Sequence, residues 1–241
     1  MTHTLEQSIR GMELSSSTEV HSYTAPQLSP SSINDGEDIE ASARVVMEDL
    51  NRTQILKQYD AVLVACFSAH PLVDWLAQQD GEFDRLTVTG IFEASILTAL
   101  SLIRLGKKWG IVTTGKYWEE HLSDGTNRFL GSGGDRPNNQ WFAGVETTRL
   151  NASDFHGGVD SEVVRQALRT ATARLLAHEN VECVIMGCAG MTGLERIIRS
   201  TAAELCGPER AADLFVVDGV RAGIGLLEQM VRNKRAFRGP P

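Results

Sequence analysis

Asp60-Ala61-Val62-Leu63-Val64-Ala65-Cys66 lines up with Glu182-Cys183-Val184-Ile185-Met186-Gly187-Cys188, 122 positions further along the chain. Each copy is an acidic residue, a continuous apolar run and a cysteine. Small residues come next (Ser68 and Ala69 in one, Ala189 and Gly190 in the other), and the match continues to Leu72 and Leu194. A short apolar run bounded by turn residues suits a strand buried on both faces, as in parallel sheets. The offset is about half of the 241 residues, so two lobes of similar build are expected.

The same alternation extends outward from these copies. Strand patterns are read at Glu19–Thr24, Ala61–Ala65, Leu86–Thr89, Trp109–Thr113, Trp141–Glu146, Val184–Met186 and Leu214–Val217. Helical patterns lie between them at Ile39–Lys57, Pro71–Gln79, Ala94–Leu105, Lys116–Leu122, Asp160–His178, Gly193–Leu205 and Val220–Val231. Short apolar strands separated by helices predict an α/β protein with helices on both faces of its sheets. Ser15–Asp38, rich in Ser and Pro, reads as a loop or lid, and Gly131–Asn139 as a turn-rich insertion. The glycines of that insertion make no dinucleotide fingerprint, since no apolar strand leads into them and Pro137 spoils the helix that a fingerprint needs after them.

Composition narrows the function. Hydrophobic residues at 42% and charged residues at 22% are ordinary globular usage, which excludes a disordered or collagen-like chain. A net charge of -8 argues against nucleic acid as the partner. No apolar stretch is long enough for a membrane span, and Met1–Arg10 has no signal-peptide pattern, so a cytoplasmic protein is expected. The expected partner is a small-molecule substrate, with self-association into a homo-oligomer left open.

The four cysteines are Cys66, Cys183, Cys188 and Cys206, and their spacing fits neither a zinc site nor a redox pair. Cys183, inside a strand, and Cys206, late in a helix, read as core filler. Cys66 and Cys188 sit at equivalent strand ends, where open α/β sheets bind ligands. A helix N-terminus after each would favour the thiolate, and small residues there would leave N–H groups free for an anion or carbonyl oxygen. Two thiols facing each other, one ionised and one not, can remove a proton from one face of a carbon acid and return it on the other. Such chemistry demands no metal and no cofactor.

These residues carry a resemblance. Ala65-Cys66-Phe67-Ser68 and Met186-Gly187-Cys188-Ala189-Gly190-Met191 are similar to the two signature cysteine segments of the aspartate/glutamate/hydantoin racemase superfamily. Gly90-Ile91-Phe92-Glu93-Ala94-Ser95, Gly110-Ile111-Val112-Thr113-Thr114-Gly115 and Pro30-Ser31-Ser32-Ile33 resemble segments of its hydantoin and allantoin racemase branch, with Ser29 where that branch has glycine. The resemblance implies a cofactor-independent racemase with two pseudo-symmetric lobes, each a parallel sheet flanked by helices, and an active site in the cleft between them. Residues 1–89 with 220–241 would form one lobe and 90–219 the other. Cys66 and Cys188 would be the acid/base pair, and the backbone around Ser68, Ala69, Thr114, Gly115, Ala189 and Gly190 would cradle a 5-substituted hydantoin or allantoin. An aspartate or glutamate racemase and a non-catalytic ligand-binding relative are the rival readings.

His70 and Glu93 are further candidates. His70, four residues beyond Cys66, reads either as a group that tunes the thiol or as a solvent-exposed helix start. Glu93 is favoured near a helix start by the dipole alone. His3, His21, His121, His156 and His178 read as surface or loop residues. The family usually opens with an apolar strand and an Asn-Pro-Asn-Ser/Thr-type turn. Met1-Thr2 stands about where that turn would have passed, so the first strand is expected to be missing.

Overall fold

A computed structural model describes residue 6 and residues 9–78, 86–131, 139–156 and 161–238, with the side chain of His156 left aside. His3 and positions 132–138 of the turn-rich insertion lie outside the described residues, as do Gln79 and Asp160 at the ends of two expected helices.

After helical residues at 6, 9 and 10, helix α1 (Gly36–Thr53) starts at Asp35, whose carboxylate accepts the Asp38 N–H at 3.0 Å. Ile39, Ala43, Val46 and Leu50 recur at helical spacing and are buried. Gln54 ends the helix in the left-handed region (φ 55°), and one 3-10 turn at Ile55–Gln58 leads to strand β1 (Ala61–Val64). Next come α2 (Pro71–Ala77), β2 (Thr87–Gly90) and α3 (Ile91–Leu102). The second half runs β3 (Lys108–Thr113), α4 (Tyr117–Phe129), β4 (Phe142–Thr147), α5 (Ser161–Leu176) and β5 (Val181–Met186). It closes with α6 (Glu195–Cys206), α7 (Pro208–Ala212), β6 (Phe215–Asp218) and α8 (Gly219–Phe237).

Two parallel sheets result: β1 beside β2, with Val64 opposite Gly90, and a four-stranded sheet in the order β4-β3-β5-β6. The class expected from the sequence is the class found. Every residue of β5 is buried, as a central strand covered on both faces requires. Val164, Leu168, Ala171 and Leu175 of α5 pack with Val112, Val184 and Met186 on one face. Ile91 and Ile96 of α3 pack with Ile111 and Ile185 on the other. Asp218 caps α8 by accepting the N–H groups of Val220 (2.9 Å) and Arg221 (3.0 Å). From there α8 returns to the first sheet, where Gly223 lies against Leu63; a Cβ at that position would sit 2.5 Å from the leucine Cδ1. No described helix is long and apolar enough to cross a membrane.

Several expected elements differ. Glu19–Thr24 forms no strand: it is exposed coil without a partner strand, and β propensity alone does not make a ladder. The loop around it is tied down instead, by Thr18 Oγ1 donating to Glu228 at 2.5 Å and the Tyr23 hydroxyl donating to Asp49 at 2.8 Å. Helix α3 starts directly after Gly90 rather than at Ala94. Helix α4 continues past Leu122 to Phe129, and its Gly125 lets the Phe92 ring approach; a Cβ there would be 3.2 Å from Phe92 Cζ. His121 is not a loop residue: its ring stacks on Tyr117 with centroids 5.2 Å apart, and its Nε2 is buried.

Candidate functional site

Both cysteines stand at carboxyl ends of strands, one per sheet. The tip of β5 is tied to β3 by Gly187 N–H donating to Val112 O at 2.8 Å and by Thr113 Oγ1 donating to Gly187 O at 2.6 Å. Only glycine fits at position 187. A Cβ would lie 2.6 Å from Ile111 Cγ2 and 2.8 Å from Thr113 Cβ. Cys188 then caps a three-residue 3-10 turn (Ala189–Met191), and its sulfur accepts the Gly190 N–H at 3.3 Å. On the other side, Cys66 Sγ lies 3.5 Å from Ser68 Oγ. Cys66 and Cys188 are half-buried residues, whereas Cys183 is fully buried in β5.

The two turns belong to one neighbourhood. Phe67, next to Cys66, and Ala189, next to Cys188, share a single apolar cluster with Phe92 and Trp118. Cys188 and Glu93 lie near enough to act on Cys66, each favouring its protonated form. Ser68, Thr114, Ala189 and Gly190 are buried here, and Ala69 and Gly115 half-buried. Thr114 O accepts the Arg149 N–H at 3.0 Å, which joins the end of β3 to the segment after β4.

Two expectations about this site fail. The N–H groups of Ser68 and Gly190 are not open to a ligand: Ser68 N donates to Cys66 O at 3.1 Å, and Gly190 N donates to the Cys188 sulfur. Each turn is tight enough to close on its own cysteine. Nor are the thiols pushed toward the thiolate. Burial raises Cys66 to about 12, against a weaker opposing hydrogen bond from Ser68. Burial raises Cys188 to about 11, partly offset by the Gly190 and Met191 N–H groups. The helix dipole does not reverse this, because Cys188 is followed by only one 3-10 turn and α2 begins at Pro71, five positions after Cys66.

His70 is not a solvent-exposed helix start. It is 4% exposed, caps α2 by accepting the Leu72 N–H on Nδ1 at 3.2 Å, and is held down to about 4 by burial. The ring is therefore neutral at ordinary pH, with its proton on Nε2. Glu93, in the first turn of α3, is raised to about 7, chiefly by burial. Sequence reasoning did not single out Gly187 or Thr113. The available signal was the asymmetry of the two copies, with Ala65 where the second has Gly187.

Fold and site together define an α/β protein of two parallel sheets flanked by helices, with a strand-end cysteine in each sheet. Residues 1–227 match the model of the Asp/Glu/hydantoin racemase family, and the chain belongs to that family. It is 35% identical over 209 residues to an uncharacterized protein of Schizosaccharomyces pombe, covering 87% of this chain and 78% of the relative. A hydantoin racemase of Pseudomonas sp. is 26% identical over 207 residues, covering 86% of this chain and 72% of that one. Among solved structures, an allantoin racemase from Klebsiella pneumoniae superposes with a TM-score of 0.73 at 22% identity, covering 96% of this chain and 82% of that one.

Proposed function

We propose that this family member is a cofactor-independent racemase that inverts the C5 centre of a 5-substituted hydantoin or of allantoin. In this reading the thiolate of one cysteine, Cys66 or Cys188, takes the C5 proton and becomes a thiol. The resulting carbanion delocalises into the adjacent ring carbonyl, and the opposite thiol returns a proton to the other face, becoming the new thiolate. Proton count and charge balance over the step. The observation that carries the reading is the pair of half-buried cysteines, one at a strand end of each sheet, with Cys188 near enough to act electrostatically on Cys66. A neutral ring suits this environment better than a dicarboxylic amino acid. The charged forms that act on Cys66 are the Cys188 thiolate and the Glu93 carboxylate, both anionic.

The test is deuterium incorporation at C5 of single enantiomers in heavy water, across allantoin, several 5-substituted hydantoins, aspartate and glutamate. Protein-dependent exchange of the ring compounds is expected. Cys66→Ser and Cys188→Ser should each lower it by about 10²- to 10⁴-fold while retaining ligand binding. Exchange confined to the amino acids, or equal exchange in both serine variants and the parent, overturns the proposal.

A further inference from the structure

The Glu93 carboxyl occupies an unusual place. Gly90 caps α3 with no side chain of its own, and a Cβ on Gly90 would lie 2.4 Å from Glu93 Oε2 and 3.3 Å from Val73 Cγ2. The carboxyl is thus folded back over Gly90, in the space a side chain would fill. Gly90 pairs with Val64, two residues before Cys66, so the carboxyl sits beside the tip of β1. Neighbouring residues lock the same junction: Phe92 meets Phe67 edge to face at 5.6 Å, and Gly125 faces both the Phe92 ring and Ala69.

Helix capping explains part of this. The N–H groups of Gly90 and Glu93 act on the carboxyl, which is the arrangement of an N3 acid reaching back to its cap. A glutamine would cap as well. Yet Oε2 is buried with no hydrogen-bond partner among the described residues, a costly way to keep a carboxyl that capping alone does not require. The neighbouring thiol gives that oxygen a role. Cys188 has a different environment, in which its sulfur receives the Gly190 N–H.

The geometry points to Glu93 as a positioning residue that makes the two thiols unequal: its carboxylate beside β1 holds Cys66 as the acid, and Cys188, supported by the Gly190 N–H, is the thiol that ionises first. This rests on the reading of Cys66 and Cys188 as the acid/base pair. Among the described residues, Asp74 on α2 acts on Glu93 and Glu93 acts on Cys66, and neither of these neighbours is a cation that would neutralise it. Burial brings Glu93 to about 7, so its charge changes in the neutral range and is fully developed above it.

The test is iodoacetamide alkylation of each cysteine from about pH 8 to about pH 12, read by peptide mass, in the parent, Glu93→Gln and Glu93→Asp. The readout is the pH midpoint of each thiol, which does not depend on access to reagent. In the parent, Cys188 should have the lower midpoint. Glu93→Gln keeps the volume and the cap but not the charge, and should speed Cys66 alkylation about three- to tenfold at a fixed alkaline pH while leaving Cys188 little changed. Glu93→Asp keeps the charge and should keep the parental order. An unshifted Cys66 midpoint in Glu93→Gln overturns the inference, as do equal shifts in both variants, which would mark a packing effect. Deuterium exchange on the same proteins separates this from the racemase reading. Absence of exchange in the parent sinks that reading, whereas the alkylation midpoints judge Glu93 alone.

Discussion

Gly187→Ala tests whether the tip of β5 sets the position of Cys188. The added Cβ would lie 2.6 Å from Ile111 Cγ2, 2.8 Å from Thr113 Cβ and 3.0 Å from Thr113 Oγ1. Carbon atoms settle at about 3.5–4.0 Å, so about 1 Å of movement is needed. None of the neighbours can yield easily. Ile111 is fully buried, Thr113 and Met186 are 1% exposed, and Thr113 is held by its 2.6 Å bond to Gly187 O. Overpacking of this kind costs about 1–3 kcal/mol, and loss of the threonine bond adds about 1 kcal/mol. A drop of about 2–4 kcal/mol is therefore expected in urea unfolding monitored by tryptophan fluorescence, for which the buried Trp109 beside β5 is a reporter. Displacing Cys188 by about 1 Å should cost about a hundredfold in C5 exchange, beyond any loss of folded protein. A variant with parental stability and exchange would refute the claim that the β5 tip fixes the sulfur.

Two buried groups make stability depend on pH in opposite directions. His70 is held neutral at about 4 in the folded protein against 6.5 when free, so stability is complete above about 6.5 and falls as pH drops toward 4, by about 3 kcal/mol at the low end. His70→Asn keeps a capping acceptor and should flatten the acid side of the urea midpoint against pH. Cys183 moves the other way: burial raises it to about 12 from 9.0, so the folded state keeps a proton that the unfolded chain loses. Stability is full below about pH 9 and declines above it, and Cys183→Ala should make the decline between about pH 8 and about pH 10.5 shallower.

The strands bearing the cysteines were readable because buried parallel strands are written as continuous apolar runs, and Ala61–Ala65 and Val184–Met186 have no rival interpretation. Boundaries set by tertiary packing were less accessible. Helix α3 is apolar nearly all round, so no polar face marks its start at Ile91, and α8 runs on to Phe237 through an exposed basic tail that carries no apolar period. The segment Glu19–Thr24 has strand-forming residues but no edge to join. The positions of Cys66 and Cys188 came from the repeat, since strand ends are set by pattern. The burial of His70 depends on how α2 settles against the first sheet, which the local sequence His70-Pro71 does not encode.

The ionisation of the thiols shows where strand-end reasoning stops. Placing a cysteine after a parallel strand fixes where its sulfur goes. Whether that sulfur is a thiolate depends on the competition between burial and donors, and here burial wins at both positions. The Gly190 and Met191 N–H groups lower Cys188 without bringing it near neutrality. A racemase built this way must complete the activation of its base when the ring enters. The ring's amide hydrogens would then supply donors that the closed turns of Ser68 and Gly190 have already spent on their own cysteines. In the proposed reaction, the same tight turns that hold the sulfurs in place would leave the final step of thiol ionisation to the ligand.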